Sequence, residues 1–227
     1  MTEARLLGGG GLEGASTDPS AFAPAPMRGR HVYLRAIVPE DYRLLQQLDA
    51  GELGLRWRTR GATPSPEQWM QLTWNSVLAQ FVVTRTSDRR ALGVVMAYRP
   101  SFQDGHAQFA VVSLEKRRSP VLVLGCAIFL EYVFTCWNFH KLYMELPEWN
   151  LSQFASGLGK YFQIEGRLRN HLFYDGQHWD EIIMGLYRST WRENGKRLLA
   201  AEQPGPSRPR VPRIRSLSTA GSDRSWK

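Results

Sequence analysis

Residues 119–134 read SPVLVLGCAIFLEYVF, and this stretch decides the fold. Ser119 and Pro120 are a start signal for a helix, because serine can accept hydrogen bonds from the first free N–H groups and proline suits the first helical position. The apolar run that follows, residues 121–130, is stopped by Glu131. It is far shorter than the roughly 20 residues that a membrane-spanning helix needs. The sequence therefore predicts a central helix buried in a protein core.

Strand patterns lie on both sides of this helix. Three strand-like runs come before it, at residues 80–85, 91–98 and 106–113, with turn signals between them. Short connections of this kind favour antiparallel pairing. One strand, residues 141–146, follows the helix, and a helical crossover is expected to place it parallel to and beside residues 106–113. The predicted sheet is therefore mixed in direction.

The front of the predicted domain adds a strand and two helices. Residues 31–37 alternate as a strand. Proline and two acids at residues 39–41 suit the first turn of a helix, and residues 65–68 form a capping box that begins a second one. The fold is therefore expected to open in the order strand, helix, helix.

The back of the predicted domain adds a helix and a hairpin. Asn150 is expected to cap a helix over residues 151–162. Strands at residues 166–174 and 179–187 then meet at Asp175-Gly176, a strong hairpin signal. Antiparallel strands joined to a strand–helix–strand crossover predict an α+β fold.

Charge and composition divide the chain into one domain and two tails. Residues 1–27 are rich in glycine and proline, and residues 194–227 in proline, arginine and serine, so both are expected to be disordered. Of the formal net charge of +8, the C-terminal tail carries +6 and the N-terminal segment −2. The domain at residues 28–193 is left with +4, an ordinary excess, so the basicity by itself does not indicate a nucleic-acid-binding domain.

The cysteines and the N-terminus indicate a cytoplasmic protein. Cys126 and Cys136 lie ten residues apart in the predicted helix, a separation of about 15 Å that is beyond the reach of a disulfide. Buried, reduced thiols in a cytosol are therefore expected. The first 15 residues lack the apolar run of a secretory signal.

Several short segments of the predicted domain match one known family. They are GRHVYLR (29–35), PED (39–41), LGVV (92–95), KLYMEL (141–146), EGRLRNH (165–171), YDG (174–176) and WD (179–180). With these segments the chain resembles the GNAT superfamily of N-acyltransferases, in the branch that acetylates ribosomal-protein N-termini and small amines. The most specific segment is EGRLRNH, which stands at the family's spacing from Asn150.

The resemblance implies both an architecture and an activity. The architecture is a GNAT-like mixed, mostly antiparallel twisted sheet flanked by helices. The activity is transfer of an acyl group from acetyl-CoA or another acyl-CoA to a small-molecule or peptide amine, without a metal. The protein is expected to be a monomer or homodimer that does not bind membranes.

In the family, a glycine-containing loop before the central helix holds the pyrophosphate of coenzyme A on backbone N–H groups. Here Pro120 and Leu122 stand at the glycine positions, so one donor is missing and side-chain bulk is added. Arg117 and Arg118 can supply positive charge instead, or Ser119 and Pro120 can simply begin a helix. The coenzyme A contacts that the resemblance implies are Val112, Ser113, Leu114, Arg117, Arg118, Ser119, Val121, Leu122 and Asn150.

The positions of the family's acid and base also differ. Gln108 stands where relatives often carry a glutamate base, and Gln153 and Gly157 stand where relatives carry a serine or tyrosine acid. The candidate substitutes are His106, Glu145, Glu148, Asn150 and Tyr161. Structural roles compete with these functions, since a histidine beside a turn is often solvated and Asn150 suits an N-cap.

The acceptor is expected to contact aromatic and charged side chains. The candidates are Trp57, Arg58, Trp69, Tyr174 and Asp180. Core packing is the alternative for each tryptophan, and a solvated loop is the alternative for Arg58.

Two further interpretations stay open for the activity. An aminoacyl-tRNA donor would not need a pyrophosphate site, which agrees with the missing glycines, although the near-ordinary charge of the domain argues against it. A catalytically silent binding module would agree with the altered acid and base positions.

Overall fold

The computed structural model describes residues 27–50, 64–114 and 119–202. These residues form a seven-stranded sheet in the order β1-β2-β3-β4-β5-β7-β6. Its strands are β1 (Val32–Arg35), β2 (Val77–Arg85), β3 (Ala91–Ser101), β4 (His106–Ser113), β5 (Lys141–Pro147), β6 (Gln163–Tyr174) and β7 (Gln177–Tyr187). The helices are α1 (Pro39–Ala50), α2 (Pro66–Trp74), α3 (Pro120–Cys136), α4 (Arg188–Asn194), α5 (Lys196–Glu202) and a 3₁₀ helix (Glu148–Phe154). The mixed, mostly antiparallel sheet that the sequence predicted is confirmed.

The central helix α3 begins where the sequence predicted. Ser119 is its N-cap and its side-chain oxygen accepts a hydrogen bond from the N–H of Leu122, while Pro120 opens the first turn. Most of the first ten residues are buried or half-buried against one face of the sheet, and Pro120 and Val123 are the exposed exceptions. A Cβ atom on Gly125 would lie 2.3 Å from Val83 Cγ1, so the helix approaches β2 too closely for a larger residue.

The opposite face of the sheet is covered by α1 and α2. Leu45 from α1 and Trp69 from α2 form a second buried cluster with Val94 and Met96 of β3. The ring of Trp69 meets Tyr42 edge to face, with 5.8 Å between ring centroids. The two faces therefore have separate apolar cores, and the sheet lies between them.

Strands β4 and β5 are parallel neighbours for only three residues. His106, Ala107 and Gln108 pair with residues 141–143, and the register stops there. The parallel placement predicted from the crossover is confirmed. Beyond Gln108 and Tyr143 the two strands part, so their carboxyl ends leave a V-shaped opening in the sheet.

The closed end of this opening is held by Arg188, the first residue of α4. Its guanidinium group donates to three backbone carbonyl oxygens, those of Phe134, Trp137 and Phe139, each at 2.5 Å. Two of these carbonyls belong to the C-terminal end of α3 and its cap, and the third lies just before β5. Arg188 therefore joins the end of the helix to the start of the strand.

The β6–β7 hairpin turns at Asp175-Gly176, as the sequence predicted. Both residues have positive φ, 53° and 74°, which is the backbone that a tight two-residue hairpin turn requires. The strand pairing is irregular between Leu168 and Leu172, where β6 contains extra residues. Asn170 in this bulge has a φ of 50°.

The predicted helix over residues 151–162 was wrong. The structure has a 3₁₀ helix over Glu148–Phe154 followed by turns, and Asn150 lies inside that helix instead of capping it. The Asn150 side chain is instead engaged by Gln153, whose amide donates to it at 3.0 Å. Gly159, with a φ of 72°, breaks any continuation into a regular helix.

The two cysteines differ in exposure. Cys126 is half-buried, and desolvation raises the pKa of its thiol to about 12. Cys136 is exposed, so the prediction that both thiols are buried was wrong for this residue. Neither forms a disulfide. No helix in the described ranges is long and apolar enough to cross a membrane.

Ordered structure continues past the predicted domain end at Glu193. Helix α5 ends at Glu202, which is 4% exposed and accepts hydrogen bonds from the N–H groups of His31 and Val32, at 2.9 and 3.3 Å. The same carboxylate contacts His31 Nδ1 at 2.8 Å. The boundary at 193/194 was therefore placed too early, and at the front Met27 already belongs to the core. Residues 1–26 and 203–227 lie outside the described part, where their disorder stays a prediction.

Two C-terminal truncations separate the tail from this helix. Removal of residues 204–227 is expected to leave the melting temperature unchanged, because Glu202 keeps its contacts. Removal of residues 196–227 uncovers the N–H groups of His31 and Val32 and is expected to cost at least about 2 kcal/mol. This corresponds to a loss of about 4–8 °C in Tm for a domain of this size, measurable by calorimetry. Equal melting temperatures for the two truncations would contradict the role given to α5.

Candidate functional site

The candidate site lies where β4 and β5 part. Side chains alternate between the two faces of a strand, so His106 and Gln108 point to the same side, as do Tyr143 and Glu145 on β5. The rings of His106 and Tyr143 meet edge to face, with 5.4 Å between centroids. This is the face that α1 and α2 cover further along the sheet, and it gathers polar groups from both strands at the opening.

Gln108 and Glu145 bridge the opening directly. Gln108 Nε2 donates to Glu145 Oε1 at 2.5 Å. An ionised carboxylate only accepts hydrogen bonds, so the amide must turn its NH₂ group towards Glu145 and its oxygen away. That oxygen, Gln108 Oε1, is buried and has no hydrogen-bond partner among the described residues. Buried acceptors are nearly always satisfied, so this oxygen is available to accept an N–H from a bound molecule.

The pair is suited to holding a primary ammonium or amine. Gln108 Oε1 can accept one N–H, and the exposed carboxylate of Glu145 can accept a second N–H or take up a proton. An ammonium group would also satisfy the orphaned amide oxygen. The site therefore combines orientation of a nitrogen with a proton acceptor within hydrogen-bond reach.

Beside this pair, a polar network fixes the start of β5. Lys141 Nζ donates to Glu165 Oε2 at 2.8 Å and lies 4.3 Å from the Tyr143 ring centroid. Burial opposes the charged form of both partners, but hydrogen bonds with Glu165 and Tyr143 raise the pKa of Lys141 above its ordinary value. Hydrogen bonds from Lys141 and Tyr187 likewise lower the pKa of Glu165 against the effect of burial. Lys141 therefore stays charged and cannot serve as a base.

Two candidates from the sequence, Glu148 and Asp180, belong to a different cluster. Both carboxylates bind Arg167, and Glu148 Oε2 is 2.6 Å from its Nη2. Asp180 Oδ1 also accepts the N–H of Asn170 at 2.8 Å, inside the β6 bulge. That N–H, followed by Arg167, lowers the pKa of Asp180. The structure thus places Glu148 and Asp180 in an ion-pair cluster that holds the bulge, and not beside Gln108.

Asn150 and Tyr161 also lie apart from the Gln108–Glu145 pair. The Asn150 side chain is bonded to Gln153, as described above. Tyr161 packs against Trp191, with 6.3 Å between ring centroids, and Lys160 Nζ lies 5.0 Å from its ring. The buried Tyr161 hydroxyl has no partner among the described residues. Of the candidate acids and bases, only His106 and Glu145 are brought together with Gln108.

The candidate acceptor contacts are also scattered. Trp69 is 4% exposed in the core cluster beneath α2, which leaves it almost no surface for a ligand. Tyr174 packs on Trp149 at the far end of the β6–β7 hairpin, with 5.5 Å between ring centroids. Trp57 and Arg58 lie outside the described residues.

Two solved structures with the same architecture are compared with the chain here, and both are acetyltransferases. Neither a protein-family model nor a curated protein sequence matches the chain. Spermidine N-acetyltransferase from Vibrio cholerae, in complex with CoA and spermine, aligns with a TM-score of 0.60 and 20% identity, over 71% of this chain and 98% of the other. Its dodecameric form in an intermediate state aligns with a TM-score of 0.57 and 21% identity, over 71% of this chain and 96% of the other. The chain has the GNAT fold. The sheet predicted from the sequence is thereby confirmed as GNAT-like.

In this GNAT fold, the start of α3 offers fewer backbone donors to a pyrophosphate than a loop with two glycines would. Pro120 has no N–H, and the N–H groups of Leu122 and Val123 both donate to Ser119. The Leu122 side chain is buried, however, and lies against Gly93, so its bulk does not stand over the helix end as the sequence suggested. The described residues at this helix start therefore supply a reduced set of backbone donors, and any further donors for a pyrophosphate must come from side chains.

The other predicted coenzyme A contacts divide into two groups. Val112, Ser113 and Leu114 lie at the carboxyl end of β4, past its last pairing with β5, where half-buried backbone borders the opening. Arg117 and Arg118 lie outside the described residues, and their compensation for the lost backbone donors stays a prediction.

Gln108 was not among the candidate site residues predicted from the sequence, because an amide at this position was interpreted as the loss of a base. Its use as an acceptor depends on Glu145 fixing the amide's orientation. Among the described residues, no group of three or more His, Cys, Asp or Glu side chains is placed to hold a metal ion.

Proposed function

We propose that the chain is an N-acyltransferase that transfers an acyl group from an acyl-CoA thioester to a primary amine. The observation that carries the proposal is the Gln108–Glu145 bridge at the opening between β4 and β5, with one buried amide oxygen unused. The GNAT fold, shared with acetyltransferases that include a complex with CoA and spermine, supports the same reaction class.

Gln108 and Glu145 have distinct tasks in this proposal. Gln108 Oε1 accepts one N–H of the bound acceptor and sets the direction of its nitrogen. Glu145 takes a proton from the ammonium, so that a lone pair becomes available on that nitrogen. His106 packs on Tyr143 and borders the same face, which limits where the acceptor can lie.

The overall reaction releases one proton to solvent. The amine nitrogen forms a bond to the acyl carbon, the carbon–sulfur bond breaks, and the ammonium loses two protons. One proton ends on the thiol sulfur and the other must leave the site. Orientation of the reacting atoms supplies a large part of the rate in reactions of this kind.

The solved acetyltransferases described above give no support to an aminoacyl-tRNA donor; Pro120, which has no N–H at the start of α3, is the feature that agrees with one. The proposed acceptor is not restricted to polyamines, because spermidine and spermine are named only for the solved acetyltransferases. Acetyl-CoA is the first donor to test, and the acceptor is expected to be a small molecule or a peptide with a free primary amine.

A product assay tests the proposal. Purified protein is incubated with acetyl-CoA and a panel of primary amines that includes spermidine, a lysine-containing peptide and a peptide with a free N-terminus. Thiol release and a mass increase of one acetyl group on an amine are expected together. Thiol release without an acylated amine, or no reaction with acetyl-CoA and longer acyl-CoAs, would contradict the proposal and favour a catalytically silent module.

A further inference from the structure

A second carboxylate lies next to Glu145 on the same face of the sheet. In the β5–β7 register, Glu145 is opposite Ile183 and Pro147 is opposite Glu181, so the two glutamates are diagonal neighbours on one face. Side chains in this relation are within about 7–8 Å at the backbone and can approach much closer at their ends. Glu181 therefore continues the line of polar groups from the opening towards the sheet edge.

A histidine extends this line to the surface. His171 Nε2 lies 3.4 Å from Glu181 Oε2. The Glu181 side chain is 14% exposed, whereas that of His171 is 54% exposed. Gln108, Glu145, Glu181 and His171 thus form a series across β4, β5, β7 and β6.

The β6 bulge is what brings His171 to this face. The bulge inserts extra residues between Leu168 and Leu172, and Asn170 adopts a left-handed conformation there. Asp180 accepts the Asn170 N–H from the opposite face of β7, since neighbouring residues on a strand point to opposite sides. The ion pairs of Arg167 with Glu148 and Asp180 therefore stabilise the bulge. Glu181 is not part of these ion pairs and contacts His171.

Two charged groups act on Glu181 from the elements packed against it, Glu145 on β5 and His171 on β6. Burial, followed by the negative charge of Glu145, raises the pKa of Glu181, and His171 acts in the opposite direction. A glutamate in this environment binds a proton more readily than an ordinary surface glutamate. A histidine ring can accept a proton on one nitrogen and release one to solvent.

We infer that Glu181 and His171 form a proton exit from the acceptor site, carrying the proton that Glu145 takes from the ammonium to solvent. The inference rests on the proposed function. The ammonium proton moves to the Glu145 carboxylate, from there to Glu181, then to His171, which releases it to water and returns to the neutral form. No bond other than those to the proton changes, and both glutamates end ionised. Glu181 and His171 act through Glu145, so they are positioning residues in this reaction.

Chemical rescue tests the exit. In weak buffer, His171→Ala is expected to lower kcat about tenfold, a fraction of what direct acid–base catalysis contributes. Added imidazole should restore most of the loss, because a free base can replace the missing one. His178→Ala is the matched control, since His178 lies on the same hairpin and packs on Phe173, with 5.1 Å between centroids. It should keep the wild-type rate with and without imidazole.

Glu181→Gln provides an independent variant. It keeps the size of the side chain but cannot carry a proton, so kcat should also fall about tenfold while the fold is preserved. Because the folded-state pKa of Glu181 is raised, its ionised form costs stability above that pKa, and the glutamine variant should be no less stable at neutral pH.

The outcomes distinguish this inference from the proposed function. If wild type transfers acyl groups but both variants keep kcat within about twofold in weak buffer, the proton exit is wrong and the acyltransferase stands. A loss in His171→Ala that imidazole does not restore also overturns the exit. Absence of turnover in wild type overturns the acyltransferase and the exit together.

Discussion

Replacing Glu145 with glutamine is expected to lower kcat for acyl transfer by about a hundredfold or more, the usual contribution of a positioned acid or base. Glutamine fills the same space and can still contact Gln108, but it accepts no proton at neutral pH. Steady-state kinetics with a saturating primary amine measures the effect. Raising the pH should recover part of the loss, because more of the amine is then already deprotonated.

Asp88→Asn is the matched control for this carboxylate-to-amide change. Asp88 lies in the turn between β2 and β3, where it binds Arg85 at 2.9 Å, far along the chain from the opening. The kcat of Asp88→Asn should equal that of wild type. An unchanged kcat in Glu145→Gln, with normal folding, would show that Glu145 is not the proton acceptor.

Replacing Arg188 with methionine is expected to lower the free energy of unfolding by at least about 4.5 kcal/mol. Three hydrogen bonds from a charged group are lost, each usually worth about 1.5–3 kcal/mol, and three carbonyl oxygens at the end of α3 lose their donors. The guanidinium is partly buried, which lowers the pKa of Arg188 but leaves it charged at neutral pH. Urea unfolding followed by fluorescence gives the difference.

Arg188→Lys separates charge from geometry. Lysine keeps the charge but cannot place donors on three carbonyls in a fixed fork, so its stability should lie between wild type and the methionine variant. If methionine costs less than about 1 kcal/mol, the carbonyls are satisfied in another way and Arg188 does not hold the closed end of the opening.

Features encoded by neighbouring residues were predicted from the sequence. The start of α3 at Ser119-Pro120 was predicted because an N-cap and a first-turn proline act within four residues. The turn at Asp175-Gly176 was predicted because it depends only on the backbone conformations of those two residues. The parallel placement of β4 and β5 followed because a helical crossover has few allowed geometries.

Features that depend on distant partners were not predicted. Glu202 is buried against His31, 171 residues away in sequence, so nothing near Glu202 indicated that the tail begins after it. Glu148 and Asp180 looked like free carboxylates until the structure paired them with Arg167. Local signals also competed at Asn150, where an N-cap pattern gave way to a bond with Gln153.

Only part of the candidate site could be predicted from the sequence. The alternation of side chains shows which face of its own strand Gln108 or Glu145 occupies. Only the register of β4 against β5 shows that the two residues lie on the same face of the sheet and in contact. The unused oxygen of Gln108 follows from that contact and has no signature of its own in the sequence.

The most direct test of the central claim is a crystal structure of the protein with a primary amine bound at saturating concentration. The nitrogen is expected within about 3.2 Å of both Gln108 Oε1 and a carboxylate oxygen of Glu145. Gln108→Leu, crystallised in the same way, should lose the amine from this position. A nitrogen bound elsewhere, with Gln108 Oε1 still unpaired, would contradict the assignment of this opening as the acceptor site.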